Sequence, residues 1–189
     1  MKRQHMIIAA LLALTGLLLP PGIGDSRSMY RLSRYLHTHA PVVLALGLAV
    51  CLASLKLKRR GNAALLALYL LFIAYMTLMF RNAVAKRLNL TLFWSYRLFL
   101  HSAGMRREIL FNIWLFVPLG LILYWLTGYP WVALIAIALS ASIELMQYAL
   151  GIGLCELDDI VSNGLGGCLG CLLGIAAGRL RDLKRTKEA

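Results

Sequence analysis

The run Ile109-Leu-Phe-Asn-Ile-Trp-Leu-Phe-Val-Pro-Leu-Gly-Leu-Ile-Leu-Tyr-Trp-Leu-Thr127 decides the fold class. It contains no Asp, Glu, Lys or Arg, and as a helix rising about 1.5 Å per residue it nearly crosses a hydrocarbon layer roughly 30 Å thick. Similar runs follow at Trp131–Leu150 and Ile160–Gly178. Others precede it at Ala63–Phe80, at the shorter Pro41–Leu57, and at Met6–Ile23, which follows Lys2 and Arg3. The reading is an all-α, polytopic transmembrane helical bundle of about six spans.

Composition agrees. Of 189 residues, 60% are hydrophobic and 15% charged, and the mean hydropathy is +0.74, a balance that excludes a water-soluble enzyme and leaves no length for a separate soluble domain. The net charge of +12 does not point to nucleic acid, because the basic residues flank the apolar runs, where they meet lipid headgroups. Cys51, Cys168 and Cys171 lie inside apolar runs and Cys155 in a connection, so there is no secreted disulfide framework.

The first run reads two ways. Met6–Leu19 has the length of a signal-peptide core, with small residues at Gly22 and Gly24, but no A-x-A site follows, and Pro20-Pro21 suits a helix ending at an interface. Retention as a signal anchor is the expectation. Residues 1–62 then form an N-terminal transmembrane hairpin, 63–178 the main transmembrane domain and 179–189 a basic cytoplasmic tail.

Two connections, Gly24–Ala40 and Arg81–Glu108, have spare length. In the second, Leu88–Leu100 carries Phe93, Trp94, Tyr96 and Phe99 and is too short to span, which suggests an interfacial or re-entrant segment. With the N-terminus inside, eleven of the 20 Lys and Arg fall on the inner side. The compact Lys56–Arg60 turn and the basic tail are the strongest retention signals, so both termini are expected in the cytoplasm.

Polar side chains within spans ask for a partner or a purpose. Ser140, Glu144, Gln147 and Tyr148 share one helix face by their spacing. Glu108 and Asn112 open the fourth span at i, i+4, as Asp159 and Asn163 open the sixth. Because spans alternate direction, the start of the fourth, the end of the fifth and the start of the sixth share one side of the membrane. The candidate ligand-binding set is therefore Asn112, Glu144, Gln147, Glu156, Asp158, Asp159 and Asn163. The simpler alternative is that these groups satisfy one another as interhelical glue. Converging carboxylates need a cation, a basic partner or a proton to relieve their repulsion, and Arg106 and Arg107 are the nearest basic residues in sequence.

Gly166, Gly170, Gly174 and Gly178 recur every fourth residue and predict a helix-packing strip. Cys168 and Cys171, inside the same span, read as small packing residues. Pro118 predicts a bend. His37, His39 and His101 have no ligand framework around them, so no metal and no cofactor are expected.

The ordered motifs Phe80-Arg81, Asn89-Leu90 with Phe93, Asn112-Ile-Trp-Leu-Phe-Val-Pro-Leu-Gly120, Ile143-Glu144 with Gln147, and Cys155-Glu156-Leu157-Asp158-Asp159-Ile160 leading to Asn163, Leu165-Gly166 and Gly170 resemble the VanZ-like membrane protein family. The resemblance covers roughly Ala63–Gly178. Leu92 stands where the family commonly has proline, Ile152 where it often has arginine, and Asn163-Gly-Leu-Gly166 where it has Asn-Thr-Leu-Gly.

The resemblance implies a bacterial cell-membrane protein linked to envelope homeostasis or tolerance of teicoplanin-like lipoglycopeptides. The expected role is non-enzymatic: an outer-face polar cluster that binds an amphiphilic or lipid-linked ligand, with membrane lipids, a lipid-linked envelope precursor or a lipoglycopeptide as partners. The alternatives are an enzyme using Glu144 with Asp158 or Asp159 as acid and base on a lipid headgroup, and a small transporter with Glu144 as proton relay.

Overall fold

In lipid, backbone polar groups must be satisfied within the segment that carries them, so the apolar runs become helices. The computed structural model describes residues 27–79 and 88–188. In chain order these form α1 (Arg27–Lys56), α2 (Arg59–Ala74) with a π-helical turn at Tyr75–Met79, β1 (Leu88–Asn89), the one-turn α3 (Trp94–Arg97), α4 (Ala103–Thr127), a 3-10 turn at Pro130–Val132, α5 (Ala133–Leu150), β2 (Cys155–Glu156) and α6 (Leu157–Glu188).

Four helices are long and apolar enough to cross a membrane: Arg59–Leu78, Ala103–Thr127, Pro130–Leu150 and Leu157–Leu183. Pro41–Lys56 is a shorter apolar helix. The expected all-α transmembrane bundle is therefore what forms. Met6–Ile23, with the question of its cleavage, lies outside the described residues, as do Phe80 and Arg81.

The boundaries differ from the apolar runs where capping and charge decide them. Helix α4 begins at Ala103, ahead of Ile109, because the Ser102 side chain accepts a hydrogen bond from Met105 N at 3.3 Å. It ends at Gly128, whose φ of 78° suits a residue without a Cβ. Helix α6 begins at Leu157 and places Asp158 and Asp159 in its first turn, where carboxylates favour the positive end of the helix dipole. It also continues through the basic tail to Glu188. Helix α1 begins at Arg27 and carries Pro41 within it, so much of the expected connection before residue 41 is helical.

Helix α4 is the centre of the bundle. Trp114, Leu115, Phe116, Leu119 and Ile122 are buried against residues of α1, α2, α5 and α6. Its Pro118 has no N–H to offer the Trp114 carbonyl. At the next residue the Tyr69 hydroxyl donates to the Leu115 carbonyl at 2.9 Å, tying α2 to this part of α4. A methyl group at Gly47 of α1 would stand 2.6 Å from Trp114 Nε1, so the missing side chain there makes room for the indole.

The most extensive helix pair is α4 with α6. A Cβ on Gly166 would overlap the Ile113 carbonyl oxygen, and one on Gly170 the Val117 carbonyl oxygen. Gly120 of α4 reciprocates by facing the Gly167 carbonyl, and Gly174 lies against the Tyr124 ring. The expected strip stops there. A Cβ on Gly178 would meet nothing within 4 Å, because α4 ends at Thr127, within a turn of Tyr124, while α6 runs on. Cys171 is buried with its Sγ 3.6 Å from the Pro130 carbonyl oxygen, and Cys51, Cys155, Cys168 and Cys171 are all free thiols.

The bundle has two chemically distinct ends. At one, Leu55 and Trp125 pack on the same small cluster, and the Arg181 guanidinium lies 4.4 Å from the Trp125 ring centroid. The basic Lys56–Arg60 turn and the basic tail thus share an end. At the other end, β1 pairs in parallel with β2, Leu88 opposite Cys155 and Asn89 opposite Glu156. The polar residues collect there.

Candidate functional site

Of the eight acidic residues in the chain, five come together at the β1–β2 end: Glu108, Glu144, Glu156, Asp158 and Asp159. Helix α5 brings Glu144, only 1% exposed, to within 3.1 Å of the Glu156 backbone N–H, which donates to its Oε2. This bond folds the α5–α6 connection back onto α5. The Asn89 side chain donates to Glu156 Oε1 at 3.3 Å, adding a side-chain tie to the two-residue backbone pairing.

Helix α6 contributes two carboxylates that face different neighbours. Asp159 Oδ1 accepts from the Asn112 amide of α4 at 2.7 Å. Asp158 accepts from Phe93 N at 2.6 Å, Ser95 N at 2.8 Å and Ser95 Oγ at 2.6 Å, and so acts as anchor and N-terminal cap for α3. One turn along α6, the Ser162 hydroxyl donates to the Asp158 carbonyl at 2.8 Å. Its single proton is thereby used, so Tyr96 is the donor in the 2.8 Å contact between the Tyr96 and Ser162 hydroxyls. Burial pushes the Tyr96 phenol above its ordinary value, and the negative charges of Asp158 and Asp159 add to the rise.

Oxygen atoms of Glu108, Glu156 and Asp159 lie within 4.8 Å of one another. A hard cation accepts such a donor set, although the sequence shows no metal framework. Glu108, Glu144, Glu156 and Asp159 also engage further groups of the protein. Beside them, the Cys155 thiol is pushed up first by burial and then by the negative charge of Glu144, Glu156 and Asp159.

The expected set is therefore partly one cluster and partly a border around it. Asn112, Glu144, Glu156 and Asp159 meet. Asp158 turns to α3. Gln147 donates to the Thr77 carbonyl at 2.9 Å, binding α5 to the π-helical turn, and Asn163 donates to Ser140 Oγ at 2.8 Å, binding α6 to α5. Both amides are buried, and Gln147 Oε1 and Asn163 Oδ1 have no hydrogen-bond partner. Of the basic residues suggested as neighbours, Arg107 donates from Nε to the Ala103 carbonyl at 3.2 Å. Sequence reasoning left Ser95, Tyr96 and Thr77 out of the site. Ser95 and Tyr96 looked like part of an aromatic surface segment, and the useful group on Thr77 is a backbone carbonyl.

No solved structure matches this chain. A curated relative, "Protein VanZ" of Enterococcus faecium, is 29% identical over 126 residues, covering 62% of this chain and 74% of the relative. The VanZ/LLP1 family profile matches residues 66–178, which takes in α4 and the part of α6 up to Gly178, the α5 face bearing Glu144 and Gln147, and the acidic turn. The chain belongs to the VanZ/LLP1 family.

Proposed function

We propose that this protein works in a bacterial cell membrane, with the β1–β2 end facing outward, and that its polar cluster binds an amphiphilic or lipid-linked ligand of the envelope. The observation that carries the reading is the gathering of most of the chain's carboxylates around a fully buried Glu144 at one end of a transmembrane bundle. Holding such groups near hydrocarbon is costly unless they serve a ligand or one another. Here Asn112 and the Glu156 backbone orient two of them, and at the border of the cluster Gln147 Oε1 and Asn163 Oδ1 are buried acceptors without a hydrogen-bond partner. An amphiphile suits the location, since its polar head meets the cluster while its chain stays in lipid. The link to teicoplanin tolerance comes from the family resemblance and is an expectation for this chain.

The test is a deletion strain profiled for envelope lipids and teicoplanin susceptibility, complemented with the native chain or with Glu144→Gln. Alongside it, teicoplanin binding is measured with purified protein in lipid nanodiscs. A phenotype restored by the native chain and not by a folded Glu144→Gln variant supports the reading. Full complementation by the variant overturns the role of the carboxylate. Turnover of a labelled envelope lipid would replace binding with acid–base chemistry, and pH-gradient-dependent flux in liposomes would replace it with transport.

A further inference from the structure

Between β1 and α4 the chain turns six large apolar side chains outward: Leu88, Leu90, Leu92, Phe93, Leu98 and Leu100, the last 80% exposed. A connection bathed in water is normally polar, and contiguous exposed apolar area marks a contact surface. This segment is also firmly held. Asp158 accepts both the Phe93 and Ser95 backbone N–H groups, β1 pairs with β2, and Phe93 keeps a left-handed backbone with φ 62°. For a bulky residue that conformation is unfavourable and persists only where its surroundings impose it. The buried carboxylate thus serves to hold an apolar surface outward.

Two observations identify what covers that surface. Leu154 adjoins Cys155, which pairs with Leu88, and Leu145, Met146, Leu150 and Leu154 are themselves exposed on and after the last turns of α5. The apolar area therefore runs from a transmembrane helix flank into the segment. Residues 88–107 also contain no Asp or Glu but carry Arg97, Arg106 and Arg107, with Arg97 exposed. Leucines and aromatics beside arginines, without acids, match the boundary between acyl chains and phosphate headgroups.

We propose that Leu88–Leu100 is a membrane-embedded boundary segment, its exposed leucines and Phe93 immersed in the leaflet next to the polar cluster and held there by Asp158. The proposal does not depend on the ligand reading and survives its failure. If both hold, the ligand reaches the cluster laterally from the bilayer.

The experiment places a fluorophore at Leu90→Cys or Leu100→Cys in a cysteine-free chain reconstituted in phosphatidylcholine–phosphatidylglycerol vesicles, with Leu145→Cys and Leu183→Cys as lipid and water references. Both segment labels should be quenched by lipids brominated near the headgroup and shielded from aqueous iodide. Iodide quenching equal to that at position 183 overturns the proposal, as does shielding from both quenchers, which would indicate a protein contact. Adding Asp158→Asn should raise iodide access at positions 90 and 100 but not at 145; no change would overturn the holding role of Asp158. In the unaltered chain, a photoactivatable lipid with its reactive group near the headgroup should label the peptide spanning 88–100. Labelling confined to the long helices overturns immersion even if the cysteine-free chain does not fold.

Discussion

The Phe93 backbone N–H donates to Asp158 Oδ1 at 2.6 Å, joining residues 65 positions apart and fixing the segment before α4 to the first turn of α6. Ser95 donates twice more to the same carboxylate. Asp158→Ala leaves buried donors without an acceptor, at a cost of about 1–3 kcal/mol for such a group. The expected result is a lower melting temperature in detergent together with faster amide exchange at 93–97. Native exchange there in the folded variant would show that the segment is held by β1 and Asn89 instead.

Glu144→Gln should leave the fold near native, because an amide oxygen can still accept from the Glu156 N–H and a buried charge is removed. Glu144→Leu should destabilise, since it strands that donor. The proposed function predicts that Gln loses complementation while keeping near-native expression and melting temperature. The two readouts together separate a lost charge from a lost fold.

Helix packing gives a graded series with an internal control. Gly170→Leu drives a side chain into the Val117 backbone, and Gly166→Leu one into that of Ile113, whereas Gly178→Leu enters open space. The first two should cost at least the 1–3 kcal/mol typical of overpacking, and the third close to nothing. Equal melting temperatures for the three variants would contradict the α4–α6 contact.

Cysteine labelling tests the orientation. In a cysteine-free chain, Leu57→Cys and Leu183→Cys sit at the basic end, and His101→Cys, just past the apolar segment, at the polar end; all three positions are exposed. A membrane-impermeant maleimide applied to intact cells should reach position 101 alone. Labelling of 57 and 183 instead would invert the proposed topology.

The Cys155 thiol offers a reporter of the acidic cluster outside the spans. Its pKa is raised, so at any given pH it holds less reactive thiolate than an ordinary cysteine, and its alkylation profile should lie at higher pH. Removing one contributing charge with Glu156→Gln should move that profile to lower pH. No movement would mean that Glu156 contributes nothing to the thiol's reactivity, leaving burial, Glu144 and Asp159 to set it.

Much of this was legible in the chain because the governing forces are local or periodic. The uncharged run at Ile109–Thr127 announces a span, the four-residue glycine spacing announces a close helix pair, and the i, i+4 pairs Glu108/Asn112 and Asp159/Asn163 point α4 and α6 at each other. The Asn112–Asp159 bond follows from that geometry. The partners of Asp158 do not. They are backbone N–H groups in a segment with no helical or strand periodicity, and two-residue strands such as β1 and β2 leave no alternation to read. Gln147 shares a face with Glu144, which predicts a place beside the carboxylates, while the π-helical turn brings the Thr77 carbonyl to within 2.9 Å of its amide nitrogen.

The close approach of α4 and α6 determines where this molecule is able to move. With Gly120, Gly166 and Gly170 each set against the opposite backbone, rotating or sliding one helix past the other would force main-chain atoms through each other. The pair behaves as a rigid keel. Helix α5 meets α6 through Ala136 against Gly167 and through Ile137 and Ser140, whose contacts with Gly164 and Asn163 yield by changes of rotamer. The Asn112–Asp159 bond thus joins two helices that keep their relative positions, whereas the bond from the Glu156 N–H to Glu144 joins this keel to a helix outside it.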